Sequence, residues 1–167
     1  MILNQQRRIR VSIAALNRFL SAAQRRLHLS PDSLTVALVT DAQMTRWNQA
    51  YRGKNRPTDV LSFPDDGPRP YTAARGIRNG QPLRHAWRTA KRKRAACSPS
   101  SASYLGDIAI APAIARRNAR RLGRSFHDEM RILILHGMLH LLGYDHDADS
   151  GQMDHREREL RRGLGLA

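Results

Sequence analysis

The chain has 167 residues, one cysteine and a formal charge of +15, from 29 Lys and Arg against 14 Asp and Glu. That length is about one domain with a core of its own, and a lone cysteine, Cys97, excludes an internal disulfide and a cysteine-based zinc site. The N-terminus MILNQQRRIR lacks the apolar run of a signal peptide, and no apolar segment is long enough to span a bilayer. The expectation is a soluble cytoplasmic protein whose partner is a polyanion, nucleic acid before a membrane surface.

In chain order, a short first strand precedes a helix of about four turns carrying Ile13, Leu16, Leu20, Ala23 and Leu27 at helical spacing. SLTVALVT, residues 33–40, reads as a strand, and Thr40 with Gln43 makes a capping-box start for a helix bearing Met44, Trp47 and Tyr51 that Gly53 stops. TDVLSF, residues 58–63, lies between Pro57 and Pro64 and predicts a third strand.

The next segment differs in kind. Between Gly67 and Gly106 there are nine Lys and Arg and no Asp or Glu, which leaves 20 basic against 14 acidic residues elsewhere. With Pro68, Pro70, Pro82 and Pro99 and no sustained period, residues 68–103 predict a long, mobile, basic insertion within a single domain. Basic runs are often merely solvated, so a linker and an RNA-contacting arm stand as equal alternatives there.

Regular patterns then resume. LGDIAIA, residues 105–111, predicts a fourth strand, and Pro112 opens a helix that ends at Gly123. Ser125 and Asp128 cap a long apolar helix reaching about Leu142, and a charged helix follows over about 151–162. The expected architecture is α+β: a small mixed sheet of about four strands covered by helices, in one domain over 1–167.

Within the apolar helix, HGMLHLLGYDH places His136, His140 and His146 in eleven residues. His136 and His140 are four apart and leave one helix face a turn apart, which is chelating geometry. His146 would point away if the helix continued, so the chain must turn, and Gly143 can take the left-handed conformation that turns it. Three imidazoles and an open position suit one catalytic Zn2+, although imidazole also accepts iron, nickel or copper. Asp145 can orient a ligand or make a turn hydrogen bond. Glu129 lies about 10 Å back along the axis, too far to be a ligand, and His28, His85, His127 and His155 have no comparable partners.

The spacing is that of metzincin peptidases, in which an acid after the first histidine serves as general base. Here that position is Gly137. A peptidase thereby loses its base, whereas a phosphodiester substrate asks for cations to stabilise developing negative charge. YRGKNRPTD, residues 51–59, offers Arg52, Lys54 and Arg56 in a constrained loop, and arginine grips phosphate with two parallel hydrogen bonds.

YRGKNRPTDVLSFP (51–64), LGDIAIA (105–111) and HGMLHLLGYDH (136–146), in that order, resemble the YbeY family of bacterial rRNA maturation factors. The resemblance covers nearly the whole chain except the insertion, which is longer than the family's usual linker. It implies a zincin-like fold and a zinc-dependent, single-strand-specific endoribonuclease acting in rRNA 3′-end processing, late ribosome maturation and quality control. By the same resemblance His136, His140 and His146 are the metal ligands and Arg52 contacts the phosphate, with single-stranded RNA, rRNA and ribosomal subunits as partners and no membrane. The rival readings are a zincin-type metallopeptidase and a non-catalytic rRNA-binding assembly factor with structural zinc.

Deleting residues 68–103 is expected to weaken RNA binding and flatten its salt dependence, since each phosphate contact releases counterions. An unchanged slope of log affinity against log salt concentration would mark the segment as linker.

Overall fold

A computed structural model describes residues 1–65, 77–78, 81–82, 104–145 and 150–166. Its elements are β1 (Ile2–Asn4), α1 (Ile13–Arg26), β2 (Leu34–Leu38), α2 (Asp41–Arg52), β3 (Val60–Pro64), β4 (Ile77–Arg78), β5 (Gln81–Pro82), β6 (Gly106–Ile110), α3 (Pro112–Arg121), α4 (Phe126–Leu141) and α5 (Gln152–Gly163). The expected α+β architecture is present. Four strands form a mixed sheet in the order β1-β2-β6-β3, with β1, β2 and β6 parallel and β3 antiparallel to β6 at the edge.

β2 and β6 are buried at every position, as expected of parallel strands covered on both faces. Alternation along the strands divides the core. Leu34, Val36, Leu38, Ile108 and Ile110 meet α1 and α4 in a cluster with Leu16, Leu20, Met130, Ile134 and Met138. Ala37, Val39, Leu61, Ala109 and Ala111 meet Met44 and Trp47 of α2 on the other face. Asp107 lies on this second face by strand alternation. Tyr104 Oη donates to its Oδ1 at 2.6 Å, and burial pushes its carboxyl above the usual range despite that bond.

The local signals read from sequence have their physical counterparts. Thr40 and Gln43 form both bonds of the capping box, Gly53 adopts a left-handed φ of 68° at the end of α2, and Ser125 caps α4 through the Asp128 amide. Gly106 has φ +135°, and a Cβ there would stand 2.1 Å from the Phe63 carbonyl oxygen, so only glycine lets β6 pass β3 at this point. Within the insertion, β4 pairs antiparallel with β5; the rest of residues 68–103 lies outside the described residues. No helix among the described residues is long and apolar enough to cross a membrane.

The sharpest packing constraint is at Gly137. A Cβ there would lie 2.8 Å from Ile108 Cγ2 and within 3.2 Å of two further atoms of the same side chain. The glycine's carbonyl also accepts a 3.2 Å hydrogen bond from Ser62 Oγ on β3. Helix and sheet thus approach at backbone distance. Gly137→Ala is expected to destabilise the fold by about 1–3 kcal/mol, the usual cost of overpacking a filled core. The measurement is the urea midpoint; a midpoint equal to the wild type would show that α4 does not press on β6 here.

Candidate active site

Every residue from Ile132 to Leu141 is buried except His136 and His140, which are partly open to solvent. Their four-residue spacing puts the two imidazoles together as expected, with Nε2 facing Nε2 at 3.1 Å. Both Nδ1 atoms are already engaged: His140 Nδ1 lies 3.0 Å from the Tyr144 carbonyl oxygen, and His136 Nδ1 lies 2.9 Å from Glu157 Oε2. A carbonyl oxygen can only accept, so His140 carries its proton on Nδ1.

Glu157 is the acceptor for the other ring. Burial alone would raise its carboxyl pKa, but the His136 hydrogen bond and the Arg161 guanidinium outweigh that and hold it below the ordinary carboxylate range. It is therefore an ionised acceptor, and His136 also donates from Nδ1. Both Nε2 atoms are consequently left with unprotonated lone pairs 3.1 Å apart. Two lone pairs at that separation repel unless a proton or a metal cation lies between them. Two imidazole nitrogens on one tetrahedral zinc would be about 3.3 Å apart for bonds of about 2.05 Å, close to the observed spacing. The donor set and its outer partners fit a metal ion.

The turn expected at Gly143 is present. Gly143 has φ 91°; its amide bonds to the His140 carbonyl at 3.0 Å, and the Tyr144 amide bonds to the Leu139 carbonyl at 3.1 Å. These are the two bonds of a Schellman motif. The Tyr144 side chain packs with Leu135, Leu139, Met153 and Leu160, which anchors the turn. The same turn aims the Tyr144 carbonyl at His140. That backbone oxygen, not the Asp145 side chain, is the acceptor for His140 Nδ1. The third histidine of the motif, His146, lies outside the described residues, and among those described no group of three His, Cys, Asp or Glu is placed to hold a metal.

Glu157 and Arg161 escaped the sequence reading. A signal existed: Met153, Glu157 and Leu160 are the buried positions of α5, so a carboxylate stands on an apolar stripe where a leucine would be expected. Arg161 Nη2 pairs with Glu157 Oε1 one turn away. Glu129, judged too far to be a ligand, is buried against Arg124 at 3.3 Å, with its carboxyl raised by burial. His28, His127 and His155 are exposed and take no part in the imidazole pair; His85 lies outside the described residues.

Arg52 is the last residue of α2 and is exposed. With Lys54, Arg56 and Arg121 it borders an open depression of about 400 Å3 that also includes Asn48, Asp59 and Asn118. The loop is tied down from beneath, since Asn48 Nδ2 donates to the Arg56 carbonyl at 2.6 Å and Asn118 Nδ2 donates to Asp59 Oδ2 at 2.9 Å. Four cations thus share one depression with a single acid whose oxygens are already bonded, an arrangement suited to phosphate.

The sequence and fold have relatives. The family profile described as Endoribonuclease YbeY matches residues 1–165. Proteins named Endoribonuclease YbeY are 36% identical over 157 residues in Alkalilimnicola ehrlichii, covering 92% of this chain and 78% of that one, and 37% identical over 141 residues in Roseiflexus sp. strain RS-1, covering 82% and 73%. A Thermotoga maritima protein solved in solution superposes with a TM-score of 0.54 at 25% identity, over 98% of this chain and 89% of that one. With the histidine motif, the cationic loop and the mixed sheet all inside a match that spans nearly the whole chain, this protein belongs to the endoribonuclease YbeY family.

Proposed function

We propose that this nuclease is a zinc-dependent, single-strand-specific endoribonuclease that acts on rRNA, in 3′-end processing, late maturation of ribosomal subunits and their quality control in the cytoplasm. One ion is held by His136, His140 and His146, and Arg52 engages the scissile phosphate. The observation that carries the reading is the His136–His140 pair, with each Nδ1 committed to an acceptor and the two Nε2 atoms converging at 3.1 Å.

When bound, the ion supplies Lewis acidity at a phosphoryl oxygen or at the attacking water. The chain's own groups do the rest. Glu157 and the Tyr144 carbonyl fix the tautomer and tilt of the two rings, so that both lone pairs are presented without a search through rotamers. Arg52, exposed at the helix end and without an ion pair or side-chain hydrogen bond among the described residues, offers two parallel N–H donors to a phosphodiester and offsets the charge that grows on its oxygens. Gly137 puts no carboxylate at the position after His136, where a metallopeptidase would carry its general base.

Purified protein is expected to carry about one zinc per chain and to cut single-stranded RNA but not casein, with metal and cleavage lost together in His140→Ala. Arg52→Ala is expected to keep its metal and cut about 100- to 1,000-fold more slowly, by analogy with the loss of one charge-stabilising donor. Zinc-loaded wild type that leaves single-stranded RNA intact would overturn the proposal. Glu157→Gln is expected to weaken metal binding by roughly 10- to 100-fold, the usual effect of removing a ligand's outer partner, as read by competition with a chromogenic chelator. Unchanged affinity would mean that Glu157 does not orient His136.

A further inference from the structure

α3 buries Pro112, Ala115 and Ala119 and exposes Arg116, Arg117, Arg120 and Arg121. The pairs 116/120 and 117/121 each lie one turn apart, about 6 Å along the axis, so the four guanidinium groups form a compact patch. No Asp or Glu occurs between Pro112 and Arg124. One carboxylate partner is present among the described residues, Asp41 at 3.4 Å from Arg117, in a pair whose arginine side chain is 61% exposed; such a surface pair contributes little. The helix dipole favours cations in the last turn, which accounts for Arg120 and Arg121 but not for Arg116 and Arg117. Like charges one turn apart repel, so the patch weakens the isolated helix.

The patch is continuous with the cationic depression, because Asn118 and Arg121 of α3 line it together with Arg52, Lys54 and Arg56. It also lacks what a single strand requires. Surfaces that bind single-stranded RNA interleave cations with aromatic faces on which bases stack, and α3 contains no aromatic residue. A rigid row of cations without stacking platforms suits the phosphate backbone of a duplex, which is recognised by shape and charge.

We infer that the arginine face of α3 holds the backbone of a base-paired stem adjoining the single strand that enters the site. The inference rests on the nuclease reading above and adds to it a preference for single strands anchored by a neighbouring helix of RNA.

The test compares two probes by fluorescence anisotropy, in chelator so that nothing is cut: a short single-stranded RNA, and the same strand joined to a hairpin stem. Wild type is expected to bind the stem-bearing probe more tightly. R116Q/R117Q/R120Q is expected to lose about tenfold or more of that affinity and roughly two to three units of its log–log salt slope, with the short strand changed by less than about threefold. R8Q/R18Q/R25Q, which removes the same charge from exposed positions elsewhere, is expected to leave the stem preference intact. Equal losses on both probes, equal losses from the control variant, or no loss at all would each overturn the inference. Because binding is read without cleavage, a wild-type protein that cuts neither RNA would sink the nuclease reading while the stem preference stayed measurable.

Discussion

The close approach of α4 to the sheet at Gly137 sets the geometry of everything around it. A helix turns about 100° per residue, so if Gly137 faces Ile108, His136 lies about 100° to one side and His140 about 60° to the same side. Pressing a glycine against a central strand therefore aims both imidazoles along one flank of the helix, clear of the core. The Ser62 hydrogen bond to the Gly137 carbonyl couples this contact to β3, so the edge strand, the helix and the imidazole pair share one reference point.

Charge is organised around that scaffold at two depths. Close to the imidazoles, Glu157 and Arg161 form a half-sheltered pair that fixes one ring. Farther out, cations from α2, the following loop and α3 face solvent with few acids among them. A pair sheltered from water is screened little and holds geometry; exposed cations are screened and act through number, which suits attraction of a long anion. The division of labour follows from dielectric environment more than from residue type, since arginine serves in both.

Features set by neighbours in sequence were legible beforehand. The i, i+4 histidines, the Thr40 capping box and the Gly143 turn depend on contacts within a few residues, and all three have the expected form. Gly137 was legible only in part. Its lack of an acid was evident, but its packing partner Ile108 is 29 positions earlier, and no local pattern reveals a contact across a helix–sheet interface. Glu157 was missed because it pairs with a histidine 21 residues away; the only trace was a carboxylate on the buried stripe of an amphipathic helix. The strand pair inside the insertion is only two residues long on each side, too short to leave a period among the surrounding prolines and charges.

The two rings are held by partners of different kinds, and the order of the chain gives that difference a temporal meaning. His140 is oriented by a backbone oxygen four residues on, available as soon as the Gly143 turn has formed. His136 Nδ1 meets Glu157 on α5, the last element in chain order among the described residues. During synthesis the acceptor for His140 Nδ1 is therefore made before the acceptor for His136 Nδ1. The two rings of one site thus draw on contacts of very different range, one closed within a single turn of chain and one closed only when a separate helix packs against it.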